Sequence, residues 1–281
     1  MKDILKEMRV KQYIKNALIF IPLFFNHSFT NSELLIKTIL GFIAFSFTCS
    51  FVYIVNDILD VENDRKHPVK KDRPIASGAI SIPKAKMIAV VLIIASCVIL
   101  YISSATYITY LILVGYVALN ALYSFKVKSM PVLDIVTLAA FYVIRLYFGA
   151  VISGIEVSDW LFLTIMSGSL MLGAAKRYKE KTRNGKNKTR KVLQAYDDTY
   201  LWSVVTISSA LTMIFYSLWA ITGNIEGKFG NTMIYSVPVL IVYVMYFLYS
   251  LRNSDEEDAV VMFIKNPMIV PMAMIMLTIY L

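Results

Sequence analysis

Long apolar segments alternate with short polar segments along the whole chain. A helix needs about 20 predominantly apolar residues to cross the roughly 30 Å hydrocarbon core of a bilayer. Segments 87–103 and 105–123 are of about this length and contain no charged residue. The pattern predicts nine transmembrane helices, at roughly 16–30, 34–55, 87–103, 105–123, 132–155, 160–175, 200–222, 232–251 and 262–281.

Composition supports an all-α polytopic membrane protein and excludes a soluble domain. Of the 281 residues, 58% are hydrophobic and 17% are charged, and the mean hydropathy is +0.63. In soluble domains, roughly 45–50% of the residues are apolar and about 25% are charged. We expect the first span to be tilted or kinked at Pro22. Because the first 15 residues are strongly charged and no small-residue cleavage site follows, we expect no cleaved signal. We also expect one integral-membrane domain over 1–281.

The net charge of +9 is distributed unevenly between the predicted spans. All of the 28 Lys and Arg residues except Lys37, Arg145 and Lys228 lie in the N-terminal segment or in alternate loops. Because Lys and Arg in short loops stay cytoplasmic, we expect the N-terminus inside and the C-terminus outside. Topology and anionic lipid explain this charge, so we expect no nucleic-acid partner. Cys49 and Cys97 lie in apolar spans and are predicted to be buried and not disulfide-bonded.

Three aspartates follow the second predicted span. Asp57, Asp60 and Asp64 are spaced i, i+3 and i+7, so on a continuing helix they lie within roughly 60° of one another. Asn56 lies one turn before Asp60. Neighbouring carboxylates repel unless a cation joins them, and Mg²⁺ prefers a few carboxylates with its other positions left to water and phosphate. The spacing predicts metal-binding, catalytic carboxylates; the alternative is a solvated acidic face balanced by the basic residues that follow.

Basic residues continue this segment and indicate an anionic ligand. Cations beside a metal-binding carboxylate face favour a polyphosphate, which Arg binds through two parallel bonds and Lys as a point charge. Arg65, Lys70 and Arg73 are the candidates. The alternative is the ordinary excess of positive charge in a cytoplasmic loop. His67, which precedes Pro68, is predicted to be a turn residue and not a base.

A second cluster lies at the start of the fifth span. It comprises Tyr123, Lys128 and Asp134, with Arg145 about three helical turns beyond Asp134 and therefore on the same side of the helix. A charge at that membrane depth is expensive, so we expect Arg145 to face a polar cavity and to meet an acid or an anionic ligand. The alternative is a structural salt bridge between helices.

A third cluster, KRYKE over 176–180, ends the sixth span. Lys176 and Glu180 are spaced i, i+4 and share a helix face, and Arg177 adds a further cation. All three clusters are predicted on one side of the membrane. Carboxylates, cations and surrounding apolar residues that converge there would form a pocket for a phosphorylated substrate beside the lipid.

The sequence resembles the UbiA superfamily of intramembrane prenyltransferases over about 11–200. The resemblance is carried by NDxxDxxxD at Asn56, Asp57, Asp60 and Asp64, by DRxHPxKxxRPIAxG over 64–78, by YSxxxK over 123–128 with Asp134, by Arg145, and by KRxxE over 176–180. The extended pattern is similar to one branch of the superfamily, which acts on polyprenyl phosphates. The resemblance implies a nine-helix bundle with a central cavity facing the cytoplasm, in the cell (inner) membrane.

The resemblance also implies a reaction. It is the Mg²⁺-dependent transfer of 5-phosphoribose from phosphoribosyl diphosphate to a polyprenyl phosphate, with release of diphosphate. Ordinary prenyltransferases of the superfamily carry a second motif, DxxxD, whereas this chain has KRYKE after the sixth span and only Asp197 and Asp198 later. That difference fits a smaller, more anionic donor. The residues expected to bind substrate are Asn56, Arg65, Lys70, Arg73, Tyr123, Lys128, Asp134, Arg145, Lys176, Arg177 and Glu180.

Two other functions remain open. One is conventional transfer of a prenyl chain from a prenyl diphosphate to an aromatic or other small acceptor. The other is a transporter or lipid-binding protein, although transporters commonly show internal repeats, and here the charges gather at one side without a visible repeat. The sequence is compatible with a homo-oligomer.

Overall fold

The computed structural model describes residues 2–184, 191–225, 232–254, 256 and 258–280. Their regular secondary structure is entirely helical, which confirms the predicted fold class. The α-helices are α1 (Lys2–Glu7), α2 (Ile21–Phe25), α3 (Ser32–Leu59), α4 (Val61–Lys66), α5 (Ile82–Ile102), α6 (Tyr107–Phe125), α7 (Leu133–Ser153), α8 (Asp159–Asn184), α9 (Lys191–Gln194), α10 (Asp198–Ile225), α11 (Ser236–Asn253), α12 (Ala259–Ile264) and α13 (Ile269–Tyr280). Short 3₁₀ helices lie at Lys70–Asp72, Val127–Ser129 and Met233–Tyr235, and a longer one at Val10–Phe20.

Six helical segments in the described part of the chain are long and apolar enough to cross a membrane. They are Ser32–Leu59, Ile82–Ile102, Tyr107–Phe125, Leu133–Ser153, Asp198–Gly223 and Met233–Asn253. Each corresponds to one of the nine predicted spans. Together they make the chain an integral membrane protein.

The other three predicted spans have a different form. The first is a 3₁₀ helix up to Phe20, followed by α2 with Pro22 in its first turn. The tilt or kink expected there stays a prediction. The sixth lies within α8, which continues into the charged KRYKE segment. The ninth is divided into α12 and α13, with Pro267 between them, because proline disfavours helical geometry at the preceding residue. The count of nine spans stays a prediction.

The chain divides into two compact units. The first contains residues 1–124 and 144–156, and the second contains residues 125–143 and 157–281. The first half of α7 therefore belongs to the second unit and its second half to the first unit. The expectation of one domain over 1–281 stays a prediction.

Helices α3 and α5 pack together in the first unit. Thr48 and Ser96 join them through a hydroxyl–hydroxyl bond of 2.9 Å, and Ser96 Oγ also donates to the carbonyl of Ala44 at 2.8 Å. Such bonds satisfy polar groups that lipid cannot. Both cysteines are free, as expected; Cys49 is buried, but Cys97 is exposed. The prediction that Cys97 is buried was wrong, because an apolar span also has a lipid-facing side.

The second half of α7 lies against the 3₁₀ helix Val10–Phe20. A Cβ atom added to Gly149 would lie 2.1 Å from the carbonyl oxygen of Ile19, closer than any side chain can approach. Glycine is therefore required here by backbone packing. This contact brings the N-terminal segment into the first unit.

The second unit is organised around α8 and α10. Their contact uses small residues, including Ala174 and Ala175, which are fully buried against a core that contains Leu201 and Val205. Thr212 Oγ1 donates to Ser167 Oγ at 3.1 Å across the same pair of helices. Small residues let membrane helices approach closely, and buried hydroxyl groups then find partners on the neighbouring helix. This packing positions the charged end of α8.

Candidate active site

Two of the three predicted aspartates are buried where α3 meets α4. Asp57 lies in the last turn of α3 and is 5% exposed, and Asp64 lies in α4 and is 2% exposed. Asp60 is partly exposed, and its backbone, with φ −92° and ψ 5°, ends α3. The expectation of one continuous helix was therefore wrong at Asp60. Its N–H nevertheless donates to the Asn56 carbonyl at 2.9 Å, so α4 follows without a loop.

Arg73 joins the two buried aspartates. Its Nη1 donates to Asp57 Oδ1 at 2.9 Å and to Asp64 Oδ2 at 2.6 Å. Lys70 Nζ lies 3.7 Å from Asp64 Oδ1. The structure thus brings four of the predicted site residues into one cluster of opposite charges.

The turn between α4 and Arg73 is held by side-chain bonds to the backbone. His67 Nδ1 accepts from the N–H groups of the residues two and three positions later, the second of which is Lys70, both at 3.2 Å. The turn role predicted for His67 is confirmed. Arg65 donates from Nη1 to Glu62 at 2.9 Å and from Nε to the Ala76 carbonyl at 3.3 Å. Arg65 therefore braces the loop.

Arg9, which the sequence analysis did not select, also belongs to the cluster. Its Nη2 lies 2.7 Å from both carboxylate oxygens of Asp57, and its guanidinium stacks over Tyr53 at 4.6 Å from the ring centroid. The Arg9 backbone is left-handed, with φ 53°, a conformation that costs an L-residue roughly 1–2 kcal/mol. Only the long-range contact with Asp57 reveals the role of Arg9; in the sequence it is one of several N-terminal cations.

Glu7 is a second residue of the N-terminal segment that sequence reasoning missed. It is 2% exposed, and its carboxyl group lies beside the carboxylate of Asp57 and the backbone of Ile75. Burial, and then the neighbouring charge of Asp57, raise the pKa of Glu7 to about 7. Nothing in the local sequence distinguishes this glutamate from an ordinary surface residue.

The chemistry of these side chains fits a divalent cation. Within the described residues, no three His, Cys, Asp or Glu side chains are arranged as a metal site, and Arg73 bridges Asp57 and Asp64 instead. The donors are nevertheless carboxylate oxygens, which Mg²⁺ prefers.

A separate buried ion network lies in the second unit. Arg177, which is fully buried, donates from Nε to Asp134 Oδ2 and from Nη1 to Glu180 Oε2, each at 2.6 Å. The hydroxyl of Tyr196 donates to Asp134 Oδ1 and accepts from the N–H of Val132 at 2.6 Å. Three predicted site residues, Asp134, Arg177 and Glu180, are thus brought together. Glu180 pairs with Arg177, three positions earlier on the same helix.

Three further predicted residues occupy less enclosed positions. Tyr123 is in the last turns of α6 and is half-buried. Lys128 is exposed in the 3₁₀ turn Val127–Ser129, and Lys176 is half-buried on α8. Their roles in binding stay predictions.

Arg145 is buried inside the first unit. Its Nε donates to Asn16 Oδ1 at 2.8 Å, and its Nη2 lies 3.4 Å from the Tyr116 hydroxyl and 3.7 Å from Cys49 Sγ. Its guanidinium carbon lies 5.2 Å from the Phe45 ring centroid and 5.4 Å from that of Tyr116. These contacts are to neutral polar atoms and aromatic faces, and they belong to a different unit from those of Asp134.

Comparison with known proteins gives consistent matches. The model of the UbiA prenyltransferase family matches residues 18–267. The decaprenyl-phosphate phosphoribosyltransferase of Corynebacterium glutamicum is 36% identical over 76% of this chain and 66% of its own length. The protein of the same name from Mycobacterium tuberculosis is 36% identical over 77% of this chain and 73% of its own length. The match thus leaves about a third of the first relative uncovered.

Solved structures with the same fold are more distant in sequence. A UbiA homolog from Archaeoglobus fulgidus bound to GPP and Mg²⁺ has a TM-score of 0.71 and is 19% identical, with 99% of this chain and 96% of that one covered. A UbiA homolog from Aeropyrum pernix has a TM-score of 0.66 at 15% identity, with 96% and 97% covered. These likenesses establish the fold.

Proposed function

Because the chain belongs to the UbiA prenyltransferase family, we propose that it transfers 5-phosphoribose from phosphoribosyl diphosphate to a polyprenyl phosphate. The relatives described above are named for that activity on decaprenyl phosphate. The observation that carries the proposal is the cluster in which Arg9, Lys70 and Arg73 surround buried Asp57 and Asp64. Such a cluster suits a polyphosphate donor that arrives with a divalent cation.

In the proposed site, Asp57, Asp60 and Asp64 hold Mg²⁺. When bound, the ion neutralises charge that develops on the departing diphosphate. Arg73 now neutralises Asp57 and Asp64, and this role is no longer needed once a cation is present. Its guanidinium, with that of Arg9 and the ammonium group of Lys70 nearby, can then bind phosphate oxygens.

The reaction needs charge stabilisation more than a base. The bond between the ribose C1 and the diphosphate oxygen breaks, the electron pair leaves with diphosphate, and a new C1–O bond forms to the acceptor phosphate. The acceptor is already an anion at neutral pH, so no residue must remove a proton from it. The transition state resembles an oxocarbenium ion, and cations must hold two anionic substrates close together.

The remaining predicted residues fall into two proposed groups. Asp134, Arg177 and Glu180 form a buried network, and we assign them to positioning the end of α8. Tyr123, Lys128, Arg145 and Lys176 remain proposed binding residues, with Asn56 beside the carboxylates. The excess of Lys and Arg in alternate loops supports a cytoplasmic N-terminus and active site in the cell membrane.

The direct test uses purified protein with Mg²⁺, labelled phosphoribosyl diphosphate and a polyprenyl phosphate. We expect label to become lipid-extractable and excess chelator to stop the transfer. Asp57→Asn should nearly abolish transfer. Glu62→Gln is the matched control, because Glu62 lies in the same segment but its side chain is 73% exposed and pairs only with Arg65 among the contacts described.

Two results would contradict the proposal. One is full transfer in excess chelator, which would exclude a divalent cation. The other is transfer of label from a prenyl diphosphate to an aromatic acceptor, with none from phosphoribosyl diphosphate. That second result would establish conventional prenyl transfer instead.

A further inference from the structure

The backbone is strained at Val132, just before α7 begins. Val132 has φ 67°, in the left-handed region. The N–H of Leu133 donates to the carbonyl of Pro131 at 2.8 Å, which closes a three-residue turn around Val132. A three-residue turn with a positive φ is rare and strained, and a β-branched residue makes it less favourable still. Because the Val132 side chain is 48% exposed, its burial does not compensate for the strain.

The strained turn is held by the hydroxyl group of Tyr196. This hydroxyl accepts from the N–H of Val132 at 2.6 Å and donates to Oδ1 of Asp134. The other oxygen of that carboxylate, Asp134 Oδ2, accepts from Arg177. Tyr196 is 4% exposed, and burial, followed by the bond to Asp134, raises its pKa above the ordinary value, so the hydroxyl keeps the proton that it donates. One side chain thus links the strained turn to the buried ion network.

Tyr196 reaches this position from the short segment between α9 and α10. Its ring stacks on that of Tyr200 in the first turn of α10, with the ring centroids 5.6 Å apart and the ring planes within 8° of parallel. Helix α9 packs against the 3₁₀ turn Val127–Ser129, whose central residue is the exposed Lys128. The turn that carries Lys128 is therefore held by α9 and, at Val132, by the Tyr196 hydroxyl.

We propose that Tyr196 is a positioning residue, which holds the turn where the Lys128 ammonium group can bind a substrate phosphate. This inference rests on the proposed function, in which Lys128 is one of the substrate-binding residues. Strain of the kind seen at Val132 persists where the surrounding structure enforces it, and it is concentrated at functional sites. Without the Tyr196 hydroxyl, the turn relaxes and Lys128 moves, so substrate binding weakens although no charge is lost.

The test measures the kinetics of transfer by the full-length protein with Mg²⁺, with phosphoribosyl diphosphate and polyprenyl phosphate varied in turn. Tyr196→Phe removes the hydroxyl and keeps the stacked ring, whereas Lys128→Met removes the charge and keeps an unbranched side chain. Lys128→Met should raise the KM of one substrate by about tenfold, the scale of a charge-assisted hydrogen bond. Tyr196→Phe should raise the KM of the same substrate by at least about threefold, with little change in kcat per folded molecule.

The double variant separates positioning from a general structural effect. If Tyr196 acts through Lys128, the two changes are not additive, and the double variant should have the KM of Lys128→Met alone. A structural role alone would lower the melting temperature and the folded fraction but would leave both KM values of the folded protein unaltered. Tyr200→Phe is the matched control, because Tyr200 is 41% exposed and the change keeps its stacked ring; it should have the KM and kcat of the unaltered protein.

The outcomes also distinguish this inference from the proposed function. Unaltered KM values in Tyr196→Phe, or independent effects that multiply in the double variant, overturn the inference. If Lys128→Met leaves both KM values unaltered while transfer continues, the inference fails and the proposed function stands. If the unaltered protein transfers no label from phosphoribosyl diphosphate, the proposed function fails, and the inference fails with it.

Discussion

Replacement of Asp134 tests the buried ion network of the second unit. Asp134 and Arg177 are both fully buried, with Arg177 Nε 2.6 Å from Asp134 Oδ2. Asp134→Asn keeps the shape of the side chain and removes its charge, so a buried guanidinium loses its main partner. Breaking a buried pair in this way typically costs about 3–5 kcal/mol. Because Glu180 still contacts Arg177 at 2.6 Å, we expect a cost near the lower end, about 3 kcal/mol.

A second substitution at the same position should lower the stability further. Asp134→Ala also removes the oxygen that accepts from the Tyr196 hydroxyl, a loss of roughly 1 kcal/mol more. The double variant Asp134→Asn with Arg177→Met should recover most of the lost stability. In that variant no uncompensated guanidinium remains buried, and buried pairs are often replaceable by apolar groups.

The assay is thermal unfolding of the purified protein in one detergent, followed by intrinsic fluorescence. For a chain of 281 residues, a loss of 3 kcal/mol lowers the melting temperature by about 5 °C. Asp198→Asn is the control. The Asp198 carboxylate lies 3.9 Å from Lys181 Nζ and is 60% exposed, so its loss should leave the melting temperature unchanged. The reasoning is refuted if Asp134→Asn melts within 1 °C of the unaltered protein, or if the double variant is less stable than the single one.

Three further predictions concern the first unit. Arg145→Lys should lower transfer strongly with little change in melting temperature, because the donors to Asn16 and Tyr116 are rearranged while the charge is kept; an early-melting variant with full activity per folded molecule would instead mark a structural role. Gly149→Ala should prevent normal folding, seen as loss of a monodisperse peak in size-exclusion chromatography, since the new Cβ would meet a backbone carbonyl at 2.1 Å; a normal peak and melting curve would contradict this. Without divalent cation, the protein should lose stability as the pH rises from about 5 to 8, by at most about 3 kcal/mol. The folded-state pKa of Glu7 is raised from 4.5 to about 7, so folding favours its protonated form, and that contribution is complete only below the unfolded-state pKa. Glu7→Gln should remove most of this pH dependence of the melting temperature.

The spacing of residues in the sequence predicted the part of the site whose residues are close together along the chain. Asp57 and Asp64 are seven positions apart on nearly continuous helix, so helical geometry was enough to predict that they share a face. Lys70 and Arg73 come shortly after Asp64 in the sequence, in the segment that follows α4. Asp60 differed because α3 ends there, which the i, i+3, i+7 spacing does not reveal.

Contacts between distant positions could not be predicted in the same way. Arg9 reaches Asp57 across 48 positions, and Arg177 reaches Asp134 across 43. The sequence shows that such residues are charged, but it does not show which opposite charge they meet. The same holds for Glu7, whose burial depends on how the N-terminal segment packs. The six long apolar helices, in contrast, followed directly from hydropathy, since membrane insertion depends on the length and composition of each segment.

The close packing of α7 against the N-terminal 3₁₀ helix constrains how the protein is made. Asn16 and Arg145, which are joined by a hydrogen bond, are 129 positions apart, and the backbone contact of Ile19 with Gly149 spans a similar distance. At typical rates of translation, the ribosome needs on the order of ten seconds to cover that interval. During this time the N-terminal segment and several apolar helices have already entered the membrane without their permanent neighbour. A nascent chain released before α7 emerges would therefore leave Asn16 Oδ1 without its Arg145 donor and the backbone of Ile19 uncovered.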